Sequence, residues 1–240
     1  MHESGFGRVL GVLVAPDKTF RSIAERPTWV VPLVLLVLLG ISVGLIMQTR
    51  VNQVELVKYQ MEKMGVDLGK KQMDKIESEA ANQSGAKRTL GLVFGTFVAA
   101  AFYFVLAAVF LTVLRLSGSE IDYLSSLATT VHGMVPLGVA SLLNIPIALS
   151  RTEITPEEVL GGGVLASNLR PFAPEGSPVL ASLLGSLDFF VIWAVVLLIL
   201  GFRRVGRVST TTAATMVLVL WGLWVLGKAG FSAVLSSIAG

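Results

Sequence analysis

The sequence predicts an all-α fold, a polytopic membrane helix bundle with five transmembrane helices. Three observations carry that prediction. The chain has 240 residues, 53% hydrophobic and only 15% charged, with a mean hydropathy of +0.75; soluble domains usually carry about 25% charged residues. The apolar residues come in long blocks rather than at helical or strand period, as membrane spans do. Of 19 basic and 16 acidic residues, only Asp188 and Lys228 fall inside those blocks. A charge at the bilayer centre costs about 2.5–3.5 kcal/mol, so the others stay where water reaches them. With no water to satisfy the backbone, the blocks must be helices.

Residues 1–28 form a cytoplasmic N-terminal segment. Phe6, Val9, Leu10, Leu13 and Val14 recur near helical spacing, which predicts a short helix lying on the membrane surface. Residues 9–15 are too short to span and have no strongly basic leader, so they do not read as a signal peptide. Pro16 breaks this helix, and Asp17 is expected to cap a second one through Ile23 and Ala24. Residues 29–240 then form the transmembrane domain, with spans at 29–48, 90–114, 127–149, 179–202 and 213–238. Each reaches the roughly 20 residues that cross hydrocarbon.

Residues 49–89 are the one sizeable polar segment. Val51, Val54, Val57, Met61 and Met64 place one apolar face there, which reads as the first membrane helix continuing into water. Gly65 is expected to end it and Asp67 to cap a second helix through Met73 and Ile76. The stripe is shorter than the three to four heptads of a coiled coil. A hairpin closed on itself is therefore expected, with a partner-docking face as the alternative. In loop 150–178, Thr155-Pro156-Glu157-Glu158 has the order of a helix start, ended by Gly161, Gly162 and Gly163. With no lysine at P-loop spacing and no preceding strand, the glycines read as a turn, not a phosphate cradle.

Orientation follows from the short loops. With the N-terminus inside, Arg8, Lys18, Arg21, Arg26, Arg115, Arg203, Arg204 and Arg207 are cytoplasmic, and ten other basic residues are external. The raw count favours the opposite orientation, but the compact turn at 203–207 is the firmest signal because short loops obey the positive-inside rule best. The expected topology is a multi-pass inner-membrane protein with a cytoplasmic N-terminus and an external C-terminus.

No catalytic constellation emerges. There is no HExxH, Gly185-Ser186-Leu187 does not match G-x-S-x-G, and a single intramembrane carboxylate cannot form an aspartyl dyad. Two histidines and no cysteine make no metal site. The reading is a non-enzyme without cofactors, and a lipid-modifying enzyme is the outside alternative. Asp188 and Lys228 share a depth of about 14 Å below the outer boundary at about 1.5 Å per residue, with Asn144 slightly shallower. An intramembrane ion pair is expected there, serving as a structural pin or as part of a pathway. His132, near the inner end of the third span beside Thr129 and Thr130, is expected to be hydrogen-bonded and structural. Pro136 and Pro146 suggest kinks in that span. Gly40 and Gly44, and Gly91, Gly95 and Ala99, recur at four-residue spacing and permit close helix contact.

The opening run resembles that of Yip-domain membrane proteins at Pro16, Lys18, Phe20, Pro27, Trp29 and Pro32, with Asp17 where many relatives have glycine. The stretch carrying Asp188, Phe189, Trp193 and Gly201 is similar to the fourth span of bacterial members. The resemblance implies five spans, a cytosolic N-terminus and no catalytic residues. Eukaryotic relatives act in vesicle traffic with Rab-type GTPases, but the short N-terminal segment here points away from a small-GTPase partner. Expected partners are the lipid bilayer and a membrane protein or a second copy, not nucleic acid. The functional expectation is a scaffold or accessory subunit of a membrane complex such as a transporter, with a small transporter or channel as the alternative.

Overall fold

The structure, a computed structural model, describes residues 4–63, 69–82, 84–161, 164–174 and 177–239. The described residues are helical, without a β-strand; a single extended pairing joins Asn168 and Asp188. The helices are α1 (Gly5–Val14), α2 (Pro16–Glu25), α3 (Val30–Arg50), α4 (Gln53–Lys63), α5 (Lys70–Asn82), α6 (Gly85–Leu116), α7 (Tyr123–Gly133), α8 (Val135–Ser150), α9 (Pro156–Leu160), α10 (Pro178–Gly185), α11 (Phe189–Val205) and α12 (Thr210–Ala239). They fall into two compact units. The first comprises Met1–Gly40, Gly95–Ser141 and Phe189–Leu223, and the second Ile41–Phe94, Leu142–Asp188 and Trp224–Gly240.

In the first unit, the Ser4 hydroxyl accepts from Gly7 N (3.0 Å) and starts α1. The apolar residues expected on one face divide between two. Val9 is buried, together with Val12, while Phe6, Leu10 and Val14 are exposed. Pro16 begins α2, where a missing N–H costs nothing. Asp17 is therefore not the cap expected of it; it stands inside the first turn. Phe20 and Ile23 are wholly buried against a core that includes Leu114, Leu197 and Phe202. α7 is the central helix of this unit, capped by Asp122 through Ser125 N (2.8 Å) and buried from Ser125 to Gly133. The expected third span at 127–149 is α7 and α8 in series, interrupted at Met134 just before Pro136.

In the second unit, α3 stops at Arg50 rather than running on into water. The Asn52 side-chain carbonyl accepts from Val54 N (3.1 Å) and Glu55 N (3.3 Å), which starts α4 as a new helix. Val51, the first residue of the apolar stripe, is buried with Ala148 and Ile154. Lys58 reaches Glu77 at 3.2 Å, so α4 and α5 pair as a hairpin. Met64, Gly65 and Asp67 lie outside the described residues, as do Gly162 and Gly163. Thr155 and Glu158 form a reciprocal capping box at α9. A Cβ on Gly44 would overlap Leu92, so that glycine lets α6 approach α3. Gly91 and Gly95, by contrast, face open space.

Among the described residues, four stretches are long and apolar enough to cross a bilayer: Val30–Arg50, Gly85–Leu116, Tyr123–Ser150 and Thr210–Val234. The expected fourth span, 179–202, is divided into α10 and α11. At 8 and 17 residues neither alone reaches the roughly 30 Å of hydrocarbon, given about 1.5 Å per residue. The fold is a polytopic helix bundle; among the described residues its candidate spans are these four stretches, one of them α7 and α8 in series, and the divided pair α10 and α11 is not among them.

Candidate functional site

Two polar constellations stand out, one in each unit. In the first, α1 and α2 are tied down rather than trailing. Arg8, the lone charge in α1, points inward and is 5% exposed. Its Nη1 donates to Arg26 O (2.7 Å) and Thr28 Oγ1 (2.9 Å), and its Nη2 to Ser22 Oγ (2.8 Å) and Ser22 O (3.3 Å). A guanidinium is always charged, and these bonds to backbone and hydroxyl oxygens are what permit its burial. On the other side of α2, the Asp17 carboxylate accepts from Arg204 Nε (3.0 Å) and also from Arg204 Nη2. Arg21 donates to its second oxygen at 2.7 Å. The bond from Arg204 holds the Asp17 carboxyl below the usual carboxylate range, and Arg21 adds to the effect. Ser119 Oγ donates to Gly206 O at 2.6 Å, which pins the α6–α7 turn to the turn after α11.

The family-like residues fall in the same place. Phe20 packs where a Cβ on Gly201 would stand 2.8 Å from Phe20 Cε1 and 2.7 Å from Thr129 Cγ2. The two halves of the resemblance, distant in sequence, thus meet in one contact. Pro16 opens α2, Pro27 lies in the link to α3, Pro32 is buried in the first turn of α3, and Lys18 is exposed. The Trp29 ring meets Phe104 edge-on at 5.6 Å between centroids. His132 is wholly buried on α7, with Nδ1 donating to Ala128 O at 2.8 Å. A carbonyl can only accept, so that bond requires a proton on Nδ1.

In the second unit, Asn144 and Asp188 serve the same loop. Asn144 Oδ1 accepts from Leu165 N at 3.1 Å, and the Asp188 carboxylate accepts from Ser167 Oγ. Asn168 pairs with Asp188 through the backbone and donates from Nδ2 to Gly161 O at 3.3 Å. Asp188 thus stands just before α11 and ties loop 164–170 to the break between α10 and α11. Lys228 is half-buried on α12.

Reading the sequence did not single out Arg8, Arg204 or the Asn52 cap. A lone arginine in an apolar ten-residue helix was a usable signal for the first. Asn52 with Glu55 three residues on was one for the third. Nothing local pairs Asp17 with Arg204, 187 residues away.

The sequence profile described as the Yip1 domain matches residues 10–231. The chain is also similar to a Bacillus subtilis (strain 168) protein named "Membrane protein YknW", 26% identical over 233 residues, covering 97% of this chain and 92% of the relative. No solved structure matches the chain.

Proposed function

This chain belongs to the Yip1 domain family, and from that premise we propose that it is a non-enzymatic scaffold or accessory subunit of a membrane complex, such as one built around a transporter. The observation that carries the reading is the fixed N-terminal pair of helices. Arg8 and Asp17 lock α1 and α2 onto a filled core, which gives a rigid surface suited to holding a partner. The name of the Bacillus relative says only that it is a membrane protein. We place it in the inner membrane with the N-terminus cytoplasmic, supported by the short turn that carries Arg203, Arg204 and Arg207 and by Arg115 on the same side. If α10 and α11 together make one crossing, there are five crossings and the C-terminus is external.

Purification of the full chain in mild detergent, with crosslinking mass spectrometry, tests the proposal. A stoichiometric second membrane protein crosslinked to the first unit is expected. A chain that stays alone across extraction conditions contradicts it. A second reading, a small transporter or channel, draws on the broken helix and the Asn144, Ser167 and Asp188 cluster, because interrupted helices in membranes often line solute sites. Solute flux into liposomes holding only this protein would favour that reading over the scaffold.

A further inference from the structure

We propose that Arg203 and Arg207, with Arg115 beside them, form a binding surface for the phosphate groups of anionic phospholipids. Arg203 and Arg207 are exposed, and among the described residues neither has a carboxylate partner. Of the acids near this turn, Asp17 is already shared by Arg204 and Arg21, and Glu120, exposed beside Ser119, forms no ion pair with Arg203 or Arg207 among the described residues. Arg115 is brought to the same place by the Ser119–Gly206 bond and by its own Nε, which donates to Ile121 O at 3.2 Å.

The backbone supplies a second observation. Arg207 has φ +52°, the left-handed conformation that glycine adopts most easily after a helix. Gly206, next to it, is fixed by packing: a Cβ there would stand 2.7 Å from Phe202 O and 3.5 Å from Leu114 Cδ1. The left-handed residue is thus one place later, and it is an arginine. Strain held at a charged residue points to a use for that charge.

The surroundings say what the charge meets. Leu116 follows Arg115, and Val14 lies three residues from Asp17; both are 84% exposed. Phe6 and Leu10 continue the exposed apolar row along α1. Cationic groups bordered by exposed apolar side chains match the boundary where phosphate headgroups lie above acyl chains. A soluble acidic partner would leave that apolar border in water. The inference does not depend on the scaffold reading, since it needs only a bilayer.

The test uses the full chain in nanodiscs of phosphatidylcholine alone and of phosphatidylcholine with phosphatidylglycerol. Retained lipid is counted by native mass spectrometry and the unfolding temperature is followed. The wild type is expected to retain phosphatidylglycerol preferentially and to melt higher in its presence, an advantage that added salt erodes. Arg207→Gly, which relieves the backbone as it removes the charge, is expected to melt no lower in phosphatidylcholine. It should lose roughly fivefold in phosphatidylglycerol preference, as should Arg203→Gln. Unchanged preference in both variants overturns the proposal. So does competition by inorganic phosphate as effective as that of the lipid, or binding of an acidic peptide in place of the lipid.

Discussion

The two units of this chain are held together differently. The first carries eight basic and five acidic residues, the second eleven of each, so the whole net charge of +3 belongs to the first. The first also has the larger core, in which Phe20, Ile23, Leu114 and Phe202 are wholly buried. The second is organised around the smaller cluster of Val51, Ala148 and Ile154 and by side chains that hold loops, among them Asn52, Asn144 and Asp188. The contrast teaches that the N-terminal residues are not an appendage. They supply Phe20 and Ile23 to the main core and Asp17 to its polar edge, while the polar segment after α3 pairs α4 with α5 and packs Val51 and Leu56 against Ala148, Ile154 and Val159.

Substitutions can break or sharpen that contrast. The largest effect is expected from Phe20→Ala, which removes a wholly buried ring and should cost about 3–5 kcal/mol in reversible unfolding. Arg8→Met should cost about 2–3 kcal/mol, because a charged donor with four acceptors is lost. Its effect should appear as faster hydrogen exchange in α1 and α2 rather than in the second unit. Ile154→Ala should cost about 2 kcal/mol, the low end for such a truncation, because the cluster around it is small. Equal losses for Phe20→Ala and Ile154→Ala would erase the distinction between the units. Ser167→Ala should cost about 1 kcal/mol and loosen loop 164–170 alone. The smallest effect is expected from pH. The Asp17 carboxyl has its pKa lowered in the folded state, so its stabilising contribution is complete above the ordinary carboxylate pKa. It is lost only as pH falls through the lowered value. A spin label on α2 should therefore stay immobile at pH 5 and gain mobility only in stronger acid. In Asp17→Asn that acid-induced gain should be absent.

The long apolar runs made α3, α6, α7 with α8, and α12 legible, because hydropathy over 20 residues reports solvation directly. The fourth run is divided between α10 and α11, a break hydropathy does not register because it comes from a loop returning to bond Asp188. The Thr155 start was legible from local order alone, since a capping box is a contact within three residues. The stop at Arg50 is set by the Asn52 cap, a signal as local as the apolar stripe that runs past it. The union of Phe20 with Gly201, and of Asp17 with Arg204, depends on packing between distant segments, which no local pattern encodes.

Hydrogen–deuterium exchange of the full chain in nanodiscs tests most directly whether the N-terminal segment is part of the membrane domain. Amides of α1 and α2 should be protected to nearly the same degree as those of α7, and far more than those of α4 and α5. Exchange in α1 and α2 as fast as in the α4–α5 hairpin would contradict the account.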